Sequence, residues 1–521
     1  MKIAIGLGRH RDGALAAREA AAQALKTVPK PGLALAFASI HLDQRKVHKE
    51  LCRRIDPAVL AGGSCYAEIT NAGVSRGGVA VLLLEDPGLE ATFSAADVSD
   101  DCRRTGLELA AGIKGGPRDL SLVFGSIATG YEQRMLDAVT EKLAPAPLFG
   151  GLTCGDYDLG MSHPDFWTNY QYCAAGLKKK GARLASVRLP AGAELAFGYG
   201  HGWEPVGEEL TITKAEGPRV YEIDGVPAIE FYRQFLGRDA KERFFELMVQ
   251  RYGFSLEAPG AGKTVIKLPV SCDFKSGSIL YFPAEDLQGR KVRLIQASRS
   301  SLIEGARRAA EECAVAGPRR KPVLVFMVSC CSRSHILHSR VNDELEAVRG
   351  VFGREVPVFG FYSGGEIVPL RGACGGGRCG SFYHTTTVAL MALYARGKPV
   401  SSVPSPLPAA ATDPTEAARR SILSKLQAMG DVLPRWNSPY VSERKRASAR
   451  RRMAEVIEAI LQTDELRLDR PEPLDEAGYV IYYLEQLFDG TLAETVSAFL
   501  ESLENEGVEN DPTAGSPIRF G

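Results

Sequence analysis

The sequence predicts an α/β module followed by an all-α helical tail. Two observations predict this order and a third places the join. Over residues 1–400, short apolar runs alternate with amphipathic helical patterns, the signature of strands layered with helices. Beyond residue 413 only helical periodicity remains. Between the two, ARGKPVSSVPSPLPAAATDP (395–414) is dense in Pro, Ser and Ala and has little periodicity, which is a linker composition. A chain of 521 residues also exceeds what one hydrophobic core holds.

Taken in order, MKIAIGLGRHRDG at the N-terminus reads as a strand and a turn, not a signal peptide. ALAAREAAAQAL (14–25) and SLIEGARRAAEECAV (301–315) have helical spacing. LALAFAS (33–39), GVAVLLLE (78–85), DLSLVFGS (119–126) and PVLVFMVSC (322–330) read as strands. In the tail, DPTE (413–416) sets Asp at N-cap, Pro at N1 and Glu at N3, a capping box. Ala449, Met453, Val456, Ile457, Ile460 and Leu461 then make one apolar stripe. TLAE (491–494) opens the last helix, with Val496, Phe499, Leu500 and Leu503 on one face.

Composition narrows the function classes. Lys+Arg and Asp+Glu balance at 63 each, so no net charge favours nucleic acid or an anionic membrane. The basic run SERKRASARRR (442–452) reads as a solvated helix face. No apolar run reaches the roughly 18 residues of a membrane span. The eleven cysteines are odd in number and scattered, which points to free thiols in a reducing cytoplasm.

One element recurs. GGSCYAE (62–68), GGLTCGD (150–156) and GFYSGGE (360–366) each run from a Gly to an acid six positions on. Glycine lets backbone approach a ligand closely, and a carboxylate at the end of the turn accepts hydrogen bonds from an ammonium or hydroxyl. The plainer reading is a strand-end turn with a solvated acid.

The first 400 residues resemble the paired N- and C-terminal halves of the FIST family, a sensory module of bacterial signal transduction also found in some F-box proteins. The resemblance lies in GGSCYAEI (62–69), PLFGGLTCGD (147–156) and GWEPVGEELTITKAEGPRVYEIDGVPAIEFY (202–232). It continues in SCCSR (329–333), VFGFYSGGEI (358–367) and FYHTTTVAL (382–390). It implies two related α/β halves forming one module, 1–220 and 221–396, before a linker at 397–412. It also implies a small ligand, with amino acids proposed for the family. Ala67 departs from the Gly that usually precedes the Glu, which weakens the first acidic site. An amino acid needs a planar cation for its carboxylate and an anion for its ammonium. Arg333 is the candidate cation, Glu366 the candidate anion and Glu68 a second anion. His384 and Cys330 are expected to line the same cleft.

Three motifs are decoys. IGLGRHRDGA (5–14) has Gly-x-Gly after a strand, but neither the third Gly nor a distant acid of a dinucleotide fingerprint. Cys330, Cys331, His335 and His338, with Cys374, Cys379 and His384, match no established zinc spacing and read as structural thiols. GAGKT (260–264) lacks the first Gly of a phosphate loop.

The tail has a resemblance of its own. ATDPTEAARRSIL (411–423), QTDELRLDRPEPLDEA (462–477) and AGSPIRFG (514–521) are similar to phosphoenolpyruvate carboxylase. That family's opening motif is Thr-Ala-His-Pro-Thr-Glu, and its His position is Asp413 here. Ionised Asp accepts hydrogen bonds only and does not replace an imidazole titrating near neutrality, though it caps a helix well. Residues 413–521 are therefore expected to be an incomplete, non-catalytic carboxylase-like segment, with Mg²⁺ relevant only if carboxylation survives. The expected whole is a cytoplasmic small-ligand sensor without a resident cofactor or metal. Its expected partners are a small molecule and a signalling protein, not nucleic acid or membrane. A carboxylase fragment and a protein-interaction scaffold are the alternatives.

Overall fold

The computed structural model describes residues 1–405, apart from 128–129, 158–165, 237–251, 258–262, 338–339, 376–377 and 398. The expected helical tail, its capping boxes, the basic run and Asp413 lie outside the described residues, as do the side chains of Cys374 and Cys379.

Three segments repeat one pattern: strand, helix, strand, helix, strand, hairpin, strand. The first is β1 (Lys2–Arg9), α1 (Gly13–Leu25), β2 (Leu33–Ser39), α2 (Gln44–Arg54), β3 (Leu60–Cys65), the hairpin β4 (Glu68–Thr70) and β5 (Gly73–Ser75), then β6 (Gly78–Glu85). The second is β7 (Glu90–Asp97), α3 (Cys102–Ala110), β8 (Asp119–Gly125), α4 (Gln133–Leu143), β9 (Leu148–Leu152), the hairpin β10 (Tyr170–Cys173) and β11 (Gly176–Lys179), then β12 (Gly181–Arg188). The third starts at β13 (Glu194–Gly200). After an insertion it continues through α6 (Arg299–Ala316), β21 (Leu324–Cys330), α7 (Cys331–Leu337), α8 (Val341–Phe352), β22 (Val358–Ser363), the hairpin β23 (Gly365–Gly375) and β24 (Arg378–His384), and β25 (Val388–Tyr394).

Each segment builds a sheet of the same order: β3-β2-β6-β1, β9-β8-β12-β7 and β22-β21-β25-β13. The strands flanking the second helical stretch pair in parallel, and the others antiparallel. The hairpins do not stay at home. β4–β5 extends the third sheet through β22, β10–β11 the first through β3, and β23–β24 the second through β9. The exchange is cyclic, and it covers the outer edges of β3, β9 and β22.

Within the expected two-half module the sheets repeat as three units, and residue 220, the expected boundary, falls inside a strand. The repeat is hard to read because the third unit is split by the insertion. Its strands are β14 (Glu204–Glu216), β15 (Arg219–Ile223), β16 (Val226–Pro227), β17 (Tyr252–Glu257), β18 (Thr264–Asp273), β19 (Ser278–Phe282) and β20 (Lys291–Gln296), with α5 (Ala228–Leu236) among them. The order β14-β20-β17-β18-β19-β15 closes on itself because β14 also pairs with β15. The result is a six-stranded antiparallel barrel around Ile212, Val220, Phe254, Tyr281 and Leu294. Helix-and-strand alternation was expected across this region, and strand dominates instead. Within the expected linker, β26 (Val400–Ser402) pairs in parallel with β1.

Packing explains the apolar strand runs. β2, β3, β8, β9, β21 and β22 are buried along their whole length, because helices cover one face and the other sheets cover the second. On the inner side Phe37, Phe124, Phe149, Phe326, Phe359 and Phe361 meet. Phe37 stacks on Phe361 at 3.8 Å between centroids and meets Phe124 edge-on at 5.2 Å. On the outer side the alanines of α1 lie against β1, where Gly6 and Gly8 leave no Cβ to meet the carbonyls of Ala20 and Ala16. That is the role of the Gly-x-Gly in the dinucleotide-like decoy. Among the described residues no helix is long and apolar enough to cross a membrane.

The recurring element has a shared place. Gly62, Gly150 and Gly360 stand opposite Ala36, Val123 and Met327 of the parallel neighbour. A Cβ there would lie 1.9, 2.1 and 1.8 Å from that neighbour's carbonyl oxygen. Gly62 and Gly150 also have φ of +132° and +145°. Gly150→Ala is therefore expected to destabilise the protein by about 3 kcal/mol or more in urea unfolding. Gly112→Ala, with positive φ but nothing within 4 Å of the new Cβ, should cost about 1 kcal/mol. Equal costs at the two positions would refute the steric account.

Candidate functional site

Each exchanged hairpin brings one side chain to the same place. On β4, Glu68 stands opposite Phe361; on β10, Gln171 stands opposite Gly63; on β23, Glu366 stands opposite Gly151. Each of these partners is the residue after the element's first glycine. The hydrogen bonds repeat as well. Glu366 accepts from Ser363 Oγ at 2.7 Å and from Thr387 N at 3.1 Å. Glu68 accepts from Cys65 Sγ at 3.6 Å and from Gly78 N at 3.1 Å. Gln171 donates to Thr153 Oγ1 at 2.7 Å and accepts from Gly181 N at 2.8 Å.

The third member of the set is therefore Gln171, not Asp156. Asp156 lies in the connection after β9 and faces His41 at 3.5 Å. The longer connection before β10 displaces the equivalent residue, so equal spacing in sequence picked the wrong acid. Finding Gln171 needs strand pairing, since a neutral amide carries no charge signal.

All three side chains are fully buried, and burial disfavours a carboxylate. Burial raises Glu68 from 4.5 to about 7, against hydrogen bonds that favour its charged form. Glu366 is held well above the carboxylate range, first by burial and then by the charge of Cys330. Burial pushes the Cys330 thiol up, but hydrogen bonds from Cys331, Ser332 and the backbone N–H groups of Thr386 and Ser332 outweigh it. The thiol ends below its usual range. At this pair burial favours the protonated Glu366 carboxyl, while hydrogen bonds favour the Cys330 thiolate.

Where the strand ends of the second and third units meet the barrel there is a cavity of about 50 Å³. Cys154, Cys330, Cys331, Ser332, Thr153, Thr385 and Asn169 supply its polar lining. Ile127, Tyr157, Phe166, Trp167, Leu268, Val270 and Phe282 supply the apolar remainder. Of the expected site residues, Cys330 lines this space. Glu366 is not among the lining residues but follows the lining Gly364 by two positions, and Glu68 occupies the matching position of a different sheet junction.

Arg333 is placed otherwise. Its Nε donates to Glu344 Oε1 at 2.7 Å, and its remaining forks meet Glu344 and the carbonyls of His201, Leu302 and Thr386. Glu344 also accepts from Tyr362 Oη at 2.7 Å and Ser329 Oγ at 3.0 Å. The guanidinium is thus consumed inside the fold instead of facing a ligand carboxylate. Its partner acid comes eleven residues later on α8, which sequence reading did not pair with it.

His384 pairs across the hairpin with Glu366 and packs on Tyr199 at 4.3 Å. Burial first, then His201 and the lysines 267 and 263, pull it down to about 3, so it is neutral. Neither ring nitrogen has a hydrogen-bond partner among the described residues.

Comparison with known families matches residues 32–226 to the FIST N domain and residues 228–369 to the FIST C domain. These residues belong to the FIST family. An uncharacterized protein of Mycobacterium tuberculosis is 26% identical over 391 residues, covering 71% of this chain and 96% of its own length. An uncharacterized protein of Methanocaldococcus jannaschii is 29% identical over 205 residues, 36% of this chain and 38% of its own. Residues 409–521 match the phosphoenolpyruvate carboxylase family. The carboxylase of Proteus mirabilis is 35% identical over 111 residues, 20% of this chain but only 12% of the enzyme.

The triplicate in the FIST module makes a direct prediction. Glu68→Gln copies Gln171, whose amide donates to the hydroxyl and accepts from the backbone. Because the folded state binds the Glu68 proton more tightly than the unfolded state, stability should be greatest below pH 4.5 and fall as pH rises towards 7. At pH 8 the Gln variant should exceed the parent by on the order of 3 kcal/mol, and near pH 4.5 the two should converge. Urea unfolding at both pH values checks this; a pH-independent difference would show that Glu68 ionises freely. Arg333→Ala, which strands Glu344, should cost about 3–5 kcal/mol in the same assay.

Proposed function

We propose that residues 1–400 form a small-ligand sensing module whose ligand occupies the cavity lined by Cys330 and Val270, within a cytoplasmic signalling protein. The observation that carries this reading is the cavity itself: a largely apolar space with a few converging hydroxyls and thiols, the usual composition of a ligand site. The FIST assignment supports a sensory role for it. No Asp, Glu, His, Lys or Arg is among the described lining residues, so the ligand is small and meets hydroxyls, thiols and backbone groups. An amino acid held by an Arg333–Glu366 pair fits less well, because Arg333 is bound to Glu344 and burial disfavours a charged Glu366.

A second reading comes from the tail. Residues 409–521 match a carboxylase family, but they correspond to about an eighth of the enzymes they resemble. We infer that this segment does not carboxylate phosphoenolpyruvate, since Asp413 stands at the family's His position and ionised Asp donates no proton. A coupled assay with phosphoenolpyruvate, bicarbonate and Mg²⁺ should give no oxaloacetate.

A thermal-shift screen of the full chain with the twenty amino acids, small neutral metabolites and phosphoenolpyruvate tests the sensing reading. A ligand at about 100 times its Kd adds about 2.7 kcal/mol, or about 5 °C in Tm. Val270→Trp, which fills the cavity from the barrel side, should abolish the shift. If the shift survives this substitution, the ligand sits elsewhere.

A further inference from the structure

The cavity collects three thiols from two different units. Cys330 ends β21, Cys331 opens α7 and Cys154 follows β9; all three line the same space and share one core cluster. Cys154 and Cys330 are the neighbours that, after burial, hold the Cys331 thiol well above its usual range. Cys330 Sγ accepts from Ser332 Oγ at 3.1 Å and lies 3.8 Å from Thr385 Oγ1. Hydroxyls and backbone N–H groups converge on one sulfur, and that is the arrangement that holds a thiolate. Beside it stand a second and a third thiol in sequence. Among the described residues no group of three His, Cys, Asp or Glu side chains has the placement of a metal site.

We propose that this cluster is a peroxide-reactive site, in which Cys330 is the attacking sulfur and Cys331 and Cys154 resolve it as a disulfide. The inference rests on the cavity reading above and adds the ligand class: a small hydroperoxide, either hydrogen peroxide or a short alkyl hydroperoxide. Cys330 as thiolate attacks the terminal oxygen of the O–O bond. The S–O bond forms, the O–O bond breaks, and the departing alkoxide or hydroxide takes a proton from solvent. The sulfur has lost two electrons and the peroxide has gained them. Cys331 then attacks the sulfenic sulfur; an S–S bond forms, and the oxygen leaves as water with the Cys331 proton. Finally Cys154 attacks the Cys331 sulfur and releases Cys330, one proton passing from Cys154 to Cys330. Cys330 is the better leaving group because it is the better stabilised thiolate. The product is a Cys154–Cys331 disulfide that joins the second unit to the third across the cavity.

The half-buried Cys52 and Cys272 serve as internal controls. The fully reduced 521-residue protein is exposed to stoichiometric hydrogen peroxide or tert-butyl hydroperoxide, and all eleven cysteines are followed by peptide mapping. The expected result is loss of two thiols per chain, recovered as a peptide pair linking Cys154 to Cys331, before Cys52 or Cys272 reacts. In Cys154→Ser, a dimedone adduct at Cys330 or a Cys330–Cys331 link should accumulate instead. Faster reaction with the alkyl peroxide identifies the apolar lining as the recognition element, and faster reaction with hydrogen peroxide identifies access alone; either supports the site. Oxidation of Cys52 or Cys272 first, or an unchanged cross-linking rate in Cys330→Ser, overturns the proposal. Mapping of the parent chain needs no variant to fold. If the thiols stay inert while the Val270-dependent thermal shift is present, the sensing reading stands and the redox inference falls.

Discussion

The open hydrogen-bonding edge of a β-sheet is the constraint on which this structure depends. β3, β9 and β22 each end a run of buried strands with unpaired N–H and C=O groups, and such an edge invites pairing with another chain. The protein answers by having each unit lend its hairpin to another, in a closed cycle of three. Close approach follows from that choice. Where a hairpin docks, the strand it joins carries Gly62, Gly150 or Gly360 one residue earlier, backed directly against a neighbour's carbonyl. The same docking buries one long side chain per junction, far from water.

That burial sets the chemistry of all three junctions. One junction holds an amide and two hold carboxyls, each bonded to one side-chain group and one backbone N–H at corresponding places. A neutral Gln171 among two glutamates indicates that the position asks for a group that both donates and accepts, which a protonated carboxyl does and a carboxylate does not. At the third junction a neighbouring sulfur, surrounded by donors, competes with the carboxyl for the negative charge. Functional potential is therefore uneven across a symmetric frame, and the junction that also borders the barrel has gained a cavity.

Much of the frame was legible in the amino-acid order. The runs 33–39 and 78–85 coincide with β2 and β6, and 119–126 and 322–330 differ from β8 and β21 by a residue or two, because strands buried on both faces read as unbroken apolar stretches. The recurring Gly-to-acid spacing marked the junctions correctly at Glu68 and Glu366. It failed at Asp156, where a longer connection moves the equivalent side chain to position 171. The barrel was missed because strands such as β14 are half exposed and alternate only weakly. Arg333 was recognised as special, but its partnership with Glu344 is tertiary, and charge type alone does not distinguish an internal anchor from a ligand clamp.

The cyclic exchange also has a temporal side. The first hairpin, residues 68–75, has no sheet to join until β22 at 358–363 exists. At about 5–20 residues per second, the intervening stretch of about 290 residues keeps it waiting roughly 15–60 s on the ribosome. The second unit's sheet likewise stays open until β23 emerges. The nascent chain therefore carries uncovered strand edges for most of its synthesis, and a chaperone that shields extended segments has a long window in which to act.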